Sequence, residues 1–172
     1  TGVTADGTLA VRAEKTDKGL RLAREGAGVK IEYGRLADFN RALGALPAFY
    51  ASGQKELYQE ASFETLGYMP DCSRNAVLNV EGAKLLIRHL AVKGFNALML
   101  YTEDTYEIEG YPYFGYMRGR FTKAELKELD AYALSLGFEL ITCIQVLAHL
   151  NQIFRLNTFK GINDLDAILN VA

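Results

Sequence analysis

Three polar clusters, Asp71-Cys72-Ser73-Arg74, Thr102-Glu103-Asp104 and Gln145-Val146-Leu147-Ala148-His149, each stand at the downstream end of a short apolar run. Between them they hold a guanidinium, carboxylates and an imidazole, the groups that bind polar substrates and move protons. Helix-like segments separate the three, and the clusters recur at intervals of roughly thirty to forty residues. That is the rhythm of a β/α barrel, in which catalytic residues project from the carboxyl ends of several strands onto one face. The clusters therefore read as pieces of one active site, and the chain as part of an enzyme. Taken singly, each residue has a plainer role: a strand-end Asp104 or Arg74 caps a helix or pairs with a neighbour, and an isolated His149 is more often a packed core residue. His89, mid-helix near Arg88 and Lys93, reads as surface or packing.

The elements that would position these clusters follow from periodicity and caps. Leu66 to Cys72 reads as a first parallel strand, and Asn79 as the N-cap of a helix from Val80 to Lys93 that Gly94 ends. Phe95 to Thr102 is a second strand, nearly all apolar, as expected where both faces are buried. Thr122-Lys123-Ala124-Glu125 has the form of a capping box, with Phe121 placed to staple against Leu126 and Gly137 closing the helix after Leu136. Phe138 to Gln145 is the third strand. Parallel strands joined by helices cross over right-handedly, which puts the three clusters at one end of the sheet. The connection from Asp104 to Arg120 holds about sixteen residues, among them Tyr106, Tyr111, Pro112, Tyr113, Phe114 and Tyr116. A βα loop usually needs two to six residues, and longer ones are usually functional. Its aromatic faces suit the C–H face of a sugar ring, and would equally seal the barrel top or a subunit interface.

Before the first cluster, Thr8 to Glu14, Gly19 to Arg24 and Val29 to Tyr33 have strand patterns separated by turn residues, Leu36 to Tyr50 has helical spacing, and Lys55 to Ala61 reads as another strand. A small antiparallel sheet with one covering helix is expected, its charges forming a solvated face without chemistry. The expected fold is α/β: a small non-catalytic α+β amino-terminal domain, residues 1–62, followed in residues 63–172 by the first three strands of a (β/α)8 TIM barrel. A complete barrel needs roughly 250 residues, against 172 here, and the chain begins with Thr1 and stops just after the apolar Ala167, Ile168 and Leu169. It is expected to be the amino-terminal part of a larger protein.

With 49% hydrophobic and 23% charged residues the composition is globular rather than disordered. A formal charge of −2 without a basic cluster gives no electrostatic footprint for nucleic acid or an anionic membrane. No apolar run approaches the roughly 18 residues of a membrane span, and no leader opens the chain, so a soluble cytoplasmic protein is expected, with secretion left open. Cys72 and Cys143 fall inside predicted strands, where free thiols act as small hydrophobes, and suggest a reducing compartment. The two His residues, His89 and His149, lie far apart and form no His-x-His pair, which argues against a metal-dependent hydrolase; neither metal nor cofactor is expected.

Residues 63 to 170 resemble glycoside hydrolase family 20, the β-N-acetylhexosaminidases, and most closely the bacterial and hexosaminidase D-like branch. The resemblance rests on Asp71-Cys72-Ser73-Arg74-Asn75, Tyr101-Thr102-Glu103-Asp104-Thr105-Tyr106, Glu109-Gly110-Tyr111-Pro112-Tyr113-Phe114-Gly115 and Cys143-Ile144-Gln145-Val146-Leu147-Ala148-His149-Leu150, four motifs in order and at matching spacing. It implies hydrolysis of a terminal β-linked N-acetylglucosamine or N-acetylgalactosamine by substrate-assisted retention, in which the substrate's acetamide oxygen attacks the anomeric carbon. The partner implied is an N-acetylhexosamine-containing glycan or glycoconjugate.

By the same resemblance, Arg74 matches the Arg that grips sugar hydroxyls; Glu103, from its place in the second cluster, and Tyr113, from the aromatic loop, are expected as further substrate contacts without a family position behind them. Asp104 and His149 match a hydrogen-bonded relay behind the general acid, which would put the Asp104 carboxylate beside one nitrogen of His149. The family's catalytic Asp-Glu pair follows its fourth strand, and no Asp-Glu dipeptide occurs here. The pair is therefore expected beyond Ala172, and the chain by itself is expected to be inactive. Two departures concern fine geometry: many members have Asp-Asp in place of Glu103-Asp104, and Pro-Gly in place of Leu147-Ala148. The competing reading is a degenerate barrel that binds sugar or a partner without catalysis.

Overall fold

A computed structural model describes residues 9–17, 19–74, 76–146 and 149–163. The chain divides into two compact units, the first comprising residues 1–66, 88–96 and 136–138, the second residues 67–87, 97–135 and 139–172.

The first unit is built on a mixed sheet of β1 (Val11–Lys15), β2 (Leu20–Glu25), β3 (Gly28–Tyr33) and β4 (Glu56–Gln59), in the order β1-β3-β2-β4, with helix α1 (Leu36–Ser52). β2 and β3 form the expected hairpin, with Leu22 opposite Ile31. Alternation sends Leu20, Leu22, Val29 and Ile31 into a core shared with Ala42, Ala45 and Phe49 of α1. On the other set of positions Arg21 bridges Glu32 at 2.7 Å and Glu56 at 2.6 Å, as a solvated face would. The expectation of an all-antiparallel sheet is corrected at β1, which runs parallel to β3. With β3 on one side of β2 and β4 on the other, β2 has no free edge, so β1 takes the open edge of β3. Helix α1 opens with the Asp38 carboxylate accepting from the Arg35 amide at 2.9 Å. Asn40 Nδ2 donates to the Leu136 carbonyl at 2.8 Å.

The second unit holds a parallel sheet of β5 (Gly67–Tyr68), β6 (Ala97–Thr102) and β7 (Glu139–Ile144) in sequential order, with β6 central. Helices α2 (Val80–Ala91) and α3 (Lys123–Ser135) provide the crossovers, and a short α4 (Asn151–Phe154) and a 3₁₀ turn (Asn157–Ile162) follow β7. The caps lie where the side chains predict: Asn79 Oδ1 accepts from the Gly82 amide at 2.7 Å. Thr122 and Glu125 exchange the reciprocal bonds of a capping box, with the Thr122 amide donating to Glu125 at 2.7 Å. β6 buries Ala97, Leu98, Leu100 and Thr102. β5 is shorter than its apolar run predicts. Pro70 has no amide to donate, and the strand resumes only as a single bridge between Asp71 and Tyr101, with the Cys72 amide donating to the Tyr101 carbonyl at 2.9 Å. Among the described residues no helix is long and apolar enough to cross a membrane.

Candidate active site at the carboxyl ends of the parallel strands

The three residues that follow β6, Glu103, Asp104 and Thr105, are only 1%, 2% and 0% exposed. Two consecutive carboxylates withdrawn from water are costly unless cations meet them. Glu103 Oε1 lies 3.2 Å from Arg74 Nη2 and 3.8 Å from His149 Nδ1. Asp104 Oδ1 lies 3.4 Å from Arg118 Nε. Glu103 Oε1, Asp104 Oδ1 and Arg118 Nε make these approaches without hydrogen-bond geometry, so the cluster is held by charge rather than by directed bonds. His149 carries a positive φ of 60°. Its side chain and that of Arg74 are each about half exposed, so the cluster presents an imidazole and a guanidinium outward over buried carboxylates.

Local hydrogen bonds hold the strand ends. Asp71 Oδ1 accepts from the Ser73 hydroxyl at 2.6 Å and the Ser73 amide at 2.8 Å, an Asx turn that sets the start of Arg74. These two bonds, hydroxyl first, hold the Asp71 carboxyl below its ordinary range, with Arg74 adding a smaller charge effect. Thr105 Oγ1 donates to the Cys72 carbonyl at 2.8 Å, tying the end of β6 to the Asp71–Arg74 turn, and Thr102 Oγ1 donates to the Cys143 carbonyl at 3.4 Å across to β7. Burial raises the Cys72 thiol pKa, in keeping with an inert thiol.

The long aromatic loop leaves and returns at one point. Tyr106 and Phe121 form a β-bridge, the Phe121 amide donates to the Thr105 carbonyl at 2.9 Å, and the Glu107 amide to the Phe121 carbonyl at 2.9 Å. Inside the loop Gly115, at φ 67°, lies so close to the backbone of Asp104 that a Cβ there would sit 2.2 Å from the Asp104 carbonyl oxygen. Phe114 is buried against Ile153 and Phe159, and its ring stands 5.1 Å from that of Tyr106. Burial, with the Asp104 charge adding to it, raises the Tyr106 hydroxyl pKa. Tyr111, Tyr113 and Tyr116 are exposed, the last two edge to face at 6.0 Å. The aromatics thus divide between sealing the loop (Tyr106, Phe114) and facing solvent (Tyr113, Tyr116).

Of the residues predicted from sequence, Arg74, Glu103 and His149 come together on one carboxylate oxygen. Where a relay between Asp104 and His149 is expected, the described ion pairs place Glu103 Oε1 3.8 Å from His149 Nδ1 and Asp104 Oδ1 3.4 Å from Arg118 Nε. Tyr113 stands on the exposed part of the loop, its ring against Tyr116. Arg118 is the member of the cluster that sequence reasoning misses. Its one signal in the chain is a cation in a loop of aromatics, in the stretch Met117-Arg118-Gly119-Arg120. Among the described residues, no three His, Cys, Asp or Glu side chains gather as metal ligands.

No protein-family model and no curated protein matches the sequence. Solved structures do match the fold, and many of them are glycoside hydrolase family 20 β-N-acetylhexosaminidases. A glycoside hydrolase family 20 β-N-acetylglucosaminidase superposes with a TM-score of 0.71 at 23% identity, over 87% of this chain and 36% of its own. The Streptomyces plicatus N-acetyl-β-hexosaminidase in complex with Thio-NAglucal gives a TM-score of 0.68 at 23% identity, over 82% and 35%. The Vibrio harveyi exo-β-N-acetylglucosaminidase in complex with N-acetylglucosamine gives 0.63 at 20%, over 77% and 26%. The chain spans about a third or less of the length of these enzymes, and over that part it shares their fold.

Proposed function

We propose that this chain is the amino-terminal part of an exo-β-N-acetylhexosaminidase of glycoside hydrolase family 20. Its parallel strands β5, β6 and β7 are then the first three of a (β/α)8 barrel, and Arg74, Glu103, Asp104 and His149 stand at the barrel's catalytic face. The observation that carries this reading is the pair of buried carboxylates at the carboxyl end of β6, met by Arg74, His149 and Arg118, in a chain whose fold is shared with such enzymes. A purely structural ion pair would not need a half-exposed guanidinium and imidazole over buried carboxylates at the end of the sheet where barrel enzymes keep their sites.

On this reading Arg74 is the hydroxyl-gripping residue. A guanidinium has five donors, and the buried Glu103 holds one nitrogen, Nη2, by charge at 3.2 Å, which leaves the other donors for two adjacent sugar hydroxyls. His149, held toward Glu103, takes the place of the imidazole in the proton relay, with Glu103 as the carboxylate behind it. The nucleophile is the substrate's own acetamide oxygen, and the Asp that orients it and the Glu that protonates the leaving oxygen lie outside these 172 residues.

The complete protein should hydrolyse a chromogenic β-N-acetylglucosaminide or β-N-acetylgalactosaminide and be inert on the matching β-glucoside, which has no acetamide to attack. The 172-residue chain alone should not turn over either. Equal activity on the glucoside would refute substrate assistance. Saturable binding of N-acetylglucosamine without turnover by the complete protein would make it a non-catalytic sugar-binding relative.

A further inference from the structure

We propose that Arg118 is a positioning residue of this site, holding the Asp104 carboxylate and the aromatic loop in the arrangement that the bound sugar meets. The inference rests on the hexosaminidase reading for its substrate, and on geometry for the rest. Glu103 already draws both Arg74 and His149, whereas the cation that meets the Asp104 side chain, itself only 3% exposed, is Arg118. Removing the cation from a buried carboxylate leaves it uncompensated, so Arg118 fixes the direction in which Asp104 points.

Arg118 acts in two directions at once. Its Nε faces Asp104 Oδ1 at 3.4 Å, while its Nη2 donates to the carbonyl of Ser73, the residue just before Arg74. One side chain thereby links the aromatic loop, the end of β6 and the turn that carries the sugar-gripping Arg74. The backbone around it is bent to allow this: Gly115, Met117 and Gly119 all have positive φ, at 67°, 57° and 66°. Met117 is a non-glycine residue in the left-handed region and is 87% exposed, so no burial of its own offsets the strain. The loop therefore meets Asp104 twice, at its carbonyl oxygen through Gly115 and at its carboxylate through Arg118. A lysine at this position would carry the charge on only one nitrogen, and could not reach carboxylate and carbonyl together.

The test uses the complete protein with Arg118→Ala, Arg118→Lys and Asp104→Asn, alone and combined. On a chromogenic β-N-acetylglucosaminide, both Arg118 variants should lose on the order of 10²-fold in kcat, the scale of a misplaced site, with KM changed far less. Once Asp104→Asn is present, Arg118→Ala should cost far less than it does alone, leaving only the part carried by its bond to the Ser73 carbonyl. In parallel, chymotrypsin should cut after Tyr113 or Tyr116 sooner in both Arg118 variants than in wild type, with near-ultraviolet circular dichroism retained. Wild-type kcat in Arg118→Lys, or losses from Arg118→Ala and Asp104→Asn that multiply independently, would overturn the proposal. If the wild-type protein hydrolyses no β-N-acetylhexosaminide, the functional reading fails, and the protease comparison still decides whether Arg118 holds the loop.

Discussion

Removing Arg74 and neutralising Glu103 should have unequal effects on stability, and the inequality follows from their exposures. The Glu103 side chain is 2% exposed and the Arg74 side chain 59%. At their 3.2 Å separation, two unit charges attract by about 5 kcal/mol at an effective dielectric near 20 and by about 1.3 kcal/mol in bulk water. With one partner largely in solvent, the appropriate value lies toward the lower figure, about 1–3 kcal/mol. Arg74→Ala keeps the buried charge and removes that attraction, leaving, among the described residues, His149 at 3.8 Å. It should cost about 1–3 kcal/mol, or roughly 2–12 °C in Tm at about 2–4 °C per kcal/mol for a domain of this size. Glu103→Gln removes the charge that needed a partner and keeps the shape, so it should stay within about 1 kcal/mol of wild type, and Arg74→Ala/Glu103→Gln should resemble Glu103→Gln alone. Thermal melting followed by circular dichroism on the four proteins closes the cycle. If the two single effects simply add, to within about 0.5 kcal/mol, Glu103 is not a buried anion that depends on Arg74, and the site as drawn is wrong.

Two further outcomes are expected. The Asp71 carboxyl is held below its ordinary pKa by Ser73, so its contribution to stability is complete above the unfolded value of about 3.9 and is lost as pH falls through the lower folded value; melting curves of Asp71→Asn should fall less steeply than wild type below about pH 4, and superimposable acid limbs would refute the assignment. Gly115→Ala would place a Cβ 2.2 Å from the Asp104 carbonyl oxygen, whereas Gly110→Ala, also at positive φ, meets nothing within 4 Å; the first should cost about 1–3 kcal/mol more than the second, and equal Tm losses would show that the loop does not rest on Asp104.

Chain-local chemistry made much of this protein legible without coordinates. Asn79, the Thr122–Glu125 box, Gly94 and Gly137 bound their helices because caps act over three or four residues, and the unbroken apolar run of β6 announced a strand buried on both faces. The polar residues at the downstream ends of those runs were likewise visible, as was the excess length of the aromatic loop. Even the shortness of β5 was written in the chain, in a proline without an amide at position 70.

What only the tertiary structure decided are the pairings between distant segments. β1 joins β3 instead of β2, because edge availability depends on where β4 returns. His149 meets Glu103 and not its neighbour, and Arg118 reaches from the loop to Asp104 and Ser73. Residue types and spacing say which groups exist at one end of a sheet. Which carboxylate faces which cation depends on the direction in which each side chain leaves its strand end and on the path of a loop bent through four residues at positive φ, and no periodicity in the sequence encodes either.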